Sequence, residues 1–93
     1  MRFKFDPHKS RLIKANPKRG ISFEEAKILW EKPYYEDFRS DDPEQFRVIG
    51  WVEQTLYSVI YEIREDKLGE YYHLVTLWKA TRQEVFLYEQ HIK

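Results

Sequence analysis

Few side chains in this 93-residue chain could do chemistry. His8, His73 and His91 fall in three separate predicted elements and no two have metal-ligand spacing. With no cysteine to complete a set, no metal site is expected and no cofactor is implied. Ser10, Ser22, Ser40 and Ser58 lack a nucleophile-elbow motif. Three scattered glycines cannot form a phosphate-cradling loop. The cations remain. Lys9, Arg11, Lys14, Lys18 and Arg19 cluster in one short predicted helix and its exit turn, and Lys79 and Arg82 bracket the start of the last helix, whose N-terminus favours an anion. Such groups can hold an RNA backbone and stabilise a pentacoordinate phosphate during strand cleavage. They also read as solvated faces of short helices, the reading that charge alone favours. His73, on a predicted strand, has the ordinary titration range of a general acid or base, or is simply a half-buried strand residue. Trp78, at the end of that strand, could stack a nucleobase or serve as a core or interface anchor.

The elements that must position these groups have clear local signals. Gly20 can take a positive φ and feed a helix opened by Ser22 and Glu25, a capping box of the S-x-x-E kind. Phe23, Ala26 and Trp30 give that helix an apolar stripe. Thr81 and Glu84 form a second capping box, before a helix whose buried side is Val85, Tyr88 and Ile92. Asp6-Pro7 opens a first helix as N-cap and first helical residue, and Asn16-Pro17 closes it. The expected helices are 7–15, 22–32 and 81–92. Strands are expected at 2–5, 46–53, 55–63 and 70–78, with Gly50 a bulge candidate. The stretch 55–63 is apolar on both faces and should be central. In the last strand Tyr72, Leu74, Thr76 and Trp78 should share one side, and Tyr71, His73, Val75 and Leu77 the other. Tyr34 to Phe38 reads as a short edge segment, and 39–44 as a mobile acidic loop. The result is one α+β domain over 1–93, with helices packed on a small antiparallel sheet.

Composition narrows the class. Sixteen basic and sixteen acidic residues cancel, so any nucleic-acid binding needs a local patch. No apolar run approaches the roughly 20 residues of a membrane span, and the N-terminus lacks a signal-peptide apolar region. A soluble, cytoplasmic protein without membrane association is expected. Three Trp, seven Tyr and six Phe exceed what a small core easily hides. Tyr34, Tyr35, Trp51, Trp78 and Phe86 are therefore expected to contribute to an interface with a second copy or another protein.

Asp6-Pro7-His8-Lys9 after an aromatic strand, Lys18-Arg19-Gly20-Ile21-Ser22-Phe23-Glu24-Glu25-Ala26, Val48-Ile49-Gly50, and Lys79-Ala80-Thr81 before a helix with Glu84 and Tyr88 resemble the BrnT toxins, in order and over nearly the whole chain. Those are toxin halves of bacterial type II toxin–antitoxin pairs. The resemblance implies a RelE-like fold, a metal-independent ribonuclease and neutralisation by a cognate, DNA-binding BrnA-like antitoxin. On that reading the ribose 2′-OH is the nucleophile; Lys9 and Arg19, which match basic positions of the family, Arg64 at the end of the central strand and His73, the only histidine on the sheet, are the candidate catalytic groups, and Lys14, Lys18, Arg47, Lys79 and Arg82 the RNA-binding ones. The chain departs from the family where the usual Lys-His-Gly is Lys18-Arg19-Gly20 and where the strand-end Arg is Trp78. His73 stands where an Arg is common, and Gln45 replaces another Arg. A catalytically inactive module of the same fold, holding an antitoxin-like partner, is the alternative.

Overall fold

A computed structural model describes residues 1–92 of the chain. Its elements run β1 (Arg2–Lys4), α1 (Pro7–Ala15), α2 (Phe23–Ala26, continued as a 3₁₀ turn over Lys27–Glu31), β2 (Tyr35–Asp41), β3 (Glu44–Val52), β4 (Thr55–Asp66), β5 (Gly69–Lys79) and α3 (Arg82–His91). The five strands form one sheet in the order β1-β5-β4-β3-β2, with β4 central as its two apolar faces require. The sheet is mixed and not purely antiparallel, because β1 pairs parallel to β5. The crossover from β1 to β5 spans most of the chain, so no local pattern announces that pairing.

Local chemistry explains the helices. Asp6 accepts hydrogen bonds from the His8 and Lys9 amides, and Pro7 occupies the first turn of α1. Both capping boxes are closed on both sides, at Ser22 with Glu25 and at Thr81 with Glu84. The second helix differs from the expected regular helix over 22–32. After one α turn it tightens to three residues per turn, which stacks Phe23, Ala26 and Leu29 at a spacing of three. All three are fully buried, and Trp30 is only partly so. Gly50 is no bulge. It pairs regularly with Tyr57, and it is glycine because a Cβ there would meet the Leu29 Cγ at 2.8 Å.

Two corrections concern the strands. The stretch expected as a mobile loop, 39–44, is mostly sheet: β2 runs through Asp41 and β3 begins at Glu44, leaving only the turn between them. An edge strand tolerates charges because one of its sides faces solvent. The alternation expected along β5 also breaks. Ile60 pairs with Thr76 but Tyr61 pairs with Leu74, so Val75 is an extra residue and the strand changes parity there. Tyr72, Leu74 and Leu77 then face α1 and α2, while Tyr71, His73, Thr76 and Trp78 face the other way.

The sheet therefore has two unequal faces. The first packs α1 and α2 over Val48, Val59, Tyr61, Leu74 and Leu77. The second is covered by α3 only around Ile49, Leu56 and Tyr88. The remainder of the second face mixes polar and charged side chains with the buried Ile60 and the aromatic Tyr71 and Trp78.

Candidate nucleic-acid interface

Register brings Lys4, His73 and Glu62 into one row on the second face, from adjacent strands β1, β5 and β4, and Gln45 of β3 continues the row through its hydrogen bond to Glu62. Side chains in such a row stand about 5 Å apart. The Glu62 carboxylate accepts from Gln45 Nε2 at 2.7 Å and from Arg64 Nη2 at 2.6 Å and Nε at 3.0 Å. These bonds, and charge from Arg64 and His73, hold it below the usual carboxylate range against the effect of burial. His73 is half-buried. Burial first, then the Arg64 charge, pull its pKa below the ordinary value; Lys9 pulls the same way, while Glu62 and Asp6 oppose. A neutral imidazole at pH 7 can accept a proton.

Arg19 joins from the turn between α1 and α2. That turn runs past β5 beyond the end of β1, and Arg19 Nη1 donates to Thr76 Oγ1 at 3.5 Å. The positive φ of Gly20 shapes this exit. Lys4, which sequence reasoning passed over, extends to Asp66 at 2.6 Å and lies 4.4 Å from the Tyr71 ring centroid. The alternation of basic and aromatic residues in β1 carried that signal once the strand was placed beside β5. Arg39 was hidden by its assignment to a loop; its guanidinium sits 5.4 Å from the centre of the Trp78 ring.

Among the expected catalytic groups, the fold thus brings Lys9, Arg64 and His73 within electrostatic reach, with Arg19 farther along β5 on Thr76. The expected RNA-binding cations scatter. Lys14 pairs with Glu25 at 2.7 Å, on the helix side of the sheet and away from the face that carries His73. Lys18 is exposed on its turn, Lys79 at the far end of β5 and Arg82 at the start of α3. Arg47 is enclosed by carboxylates: it binds Asp37 through Nε at 2.9 Å and through Nη2, and Glu84 through Nη1 at 3.3 Å.

That pair belongs to a second network. Glu84 Oε1 accepts from the Thr81 amide at 2.8 Å and from Trp78 Nε1 at 2.9 Å. Burial raises the Glu84 pKa, but hydrogen bonds from Thr81 and Trp78 and the Arg47 charge outweigh it, so the group stays below the usual range. Tyr35 donates to Asp37 at 3.1 Å and completes the chain. The indole of Trp78 is thereby fixed by its edge.

Of the aromatics expected at an interface, Tyr34, Trp51 and Phe86 are exposed, Phe86 by 61%, while Tyr35 and Trp78 are partly buried. Among the described residues no group of three or more His, Cys, Asp or Glu could hold a metal ion, and no helix is long and apolar enough to cross a membrane. No family model and no curated protein matches this sequence.

Proposed function

We propose that this protein is a metal-independent endoribonuclease with a RelE-like fold of the BrnT type, the toxin of a type II toxin–antitoxin pair. The observation that supports it best is His73, a neutral histidine on the open part of a sheet face, within reach of the charges of Arg64 and Lys9. In this reading His73 takes the proton of a ribose 2′-OH, whose oxygen attacks the adjacent phosphorus. The bond to the 5′-oxygen breaks, leaving a 2′,3′-cyclic phosphate, and the departing oxygen takes up a proton. Lys9 and Arg19 offset the charge that builds on the phosphoryl oxygens. A cytoplasmic BrnA-like antitoxin neutralises the toxin. The exposed Tyr34, Phe38, Trp51 and Phe86 supply apolar contact area for that antitoxin or for a second copy.

A second reading has its own support. Arg47 and Arg64, both expected to meet phosphate, are engaged by carboxylates. An inactive module that only binds its antitoxin would leave them so. Incubating purified protein with RNA, with and without a chelator, separates the two. The nuclease reading expects cleavage that survives chelation and falls at least 100-fold in His73→Ala, the usual scale of general acid–base catalysis being roughly 10²–10⁴. Absence of cleavage, or full activity in His73→Ala, overturns the catalytic assignment.

A further inference from the structure

In the sheet β2 and β5 are separated by β3 and β4, a distance of about 14 Å at the usual strand spacing. Side chains from these two strands meet nonetheless: the Arg39 guanidinium of β2 lies 5.4 Å from the centre of the Trp78 ring of β5. The pair therefore spans the second face as a bridge over β3 and β4. Its two halves differ. Trp78 is held by its edge, through Nε1 to Glu84 at 2.9 Å. Arg39 is exposed and makes no ion pair among the described residues, so it is the half that can move.

Independent of that contact is Ser58. It stands opposite Trp78 on β4, on the same face, and the register puts it under the bridge. It is fully buried, and its Oγ has no hydrogen-bond partner among the described residues. Buried hydroxyls normally have one, because leaving it unmade costs free energy.

We propose that the bridge is a clamp for an unpaired RNA base, which enters between the Arg39 guanidinium and the Trp78 indole with its edge toward Ser58 Oγ. Every nucleobase has a π-face that stacks on an indole and on a planar guanidinium. A hydroxyl donates or accepts, so it can meet either kind of base edge. A sandwiched base needs roughly 7 Å between its neighbours, twice the base-stacking distance, so Arg39 withdraws slightly as the base enters. The extra residue at Val75 puts the clamp on the face of His73, with Arg19 on Thr76 between them. Five residues of strand separate Trp78 from His73 by about 13–17 Å. That exceeds the step between adjacent phosphates, so the held base flanks the dinucleotide that is cut. The clamp rests on the RNA reading proposed above and supplies a contact to a base where the cations contact phosphate.

The test uses 2′-O-methyl RNA, which lacks the attacking hydroxyl and stays intact, and the same chain with every base removed. Anisotropy titrations at fixed ionic strength give the ratio of the two dissociation constants, the base preference. The wild type should prefer the base-bearing chain at least tenfold, roughly the scale of one base–aromatic stack. Trp78→Leu should lower that ratio about tenfold. Arg39→Lys keeps the charge and loses the plane; it should bind the abasic chain as the wild type does and lower the ratio about threefold. Ser58→Ala should also lower the ratio about threefold, yet cost no stability, since its hydroxyl has no partner to lose. By NMR, the Trp78 Nε1–H resonance should shift with the base-bearing chain and not with the abasic one. Arg39 is exposed, so Arg39→Lys should keep the fold even where Trp78→Leu does not. No binding of RNA by the wild type, or an equal ratio in the wild type and Arg39→Lys with an unmoved Trp78 resonance, overturns the clamp. Cleavage is scored separately on ordinary RNA. Cleavage without base preference removes the clamp alone, and base preference without cleavage removes the His73 chemistry alone.

Discussion

Replacing Glu84 with Ala should destabilise the protein more than any other single change at a charged residue. The residue is 5% exposed and its carboxylate serves three donors at once. Losing its half of the capping box costs about 0.5–1 kcal/mol. Leaving Trp78 Nε1 enclosed without an acceptor adds about 1–2 kcal/mol. Arg47 keeps its two bonds to Asp37, so its share is small. The expected loss is about 2–3 kcal/mol, or roughly 10–20 °C in Tm for a domain of this size. Urea unfolding followed by circular dichroism measures it. Glu84→Gln keeps an oxygen for Trp78 and Thr81 and should cost about 1 kcal/mol. The two side chains should also be coupled: in a Trp78→Phe background the cost of Glu84→Ala should shrink by about 1 kcal/mol. The sign with pH follows from the depressed carboxyl. Its contribution is complete above the ordinary value of 4.5 and is lost as pH falls through the lower folded-state value. The wild-type advantage over Glu84→Gln should therefore shrink below pH 4.5. A loss under about 1 kcal/mol in Glu84→Ala, or no coupling to Trp78, would refute the account.

Gly50→Ala should cost about 1–3 kcal/mol, because the added methyl meets Leu29 Cγ at 2.8 Å and Cδ2 at 2.9 Å inside a filled core. The cost should fall in a Leu29→Val background, as denaturant midpoints will show; equal costs in both backgrounds would place the strain elsewhere. If His73 is the base, the acid limb of the RNA-cleavage rate should turn below pH 6.5, since burial and Arg64 lower its pKa. Removing Arg64 should move that limb upward, and a limb fixed at or above pH 6.5 would exclude His73 as the titrating group.

The sequence by itself determined the parts that depend on neighbours a few residues apart. Both capping boxes, the Asp6-Pro7 helix start, the positive φ at Gly20 and the central position of β4 follow from local spacing and from apolar residues on both strand faces. Only the tertiary structure decided the rest. The parallel pairing of β1 with β5 joins residues nearly seventy positions apart, and Lys4 comes beside His73 through it alone. The 3₁₀ turn that buries Leu29 depends on Gly50 of β3 allowing close approach. The stretch 39–44 is strand because β3 offers it a partner, which outweighs its polar composition. The decisive case is β5. His73 and Trp78 are five residues apart and belong to opposite faces of any regular strand. One extra residue at Val75, set by how β5 registers against β4, puts them on the same face with Thr76 and the Arg19 that reaches it. Alternation is a property of one strand and can be read along it. A bulge is a property of two strands, and the candidate site exists only after they have paired.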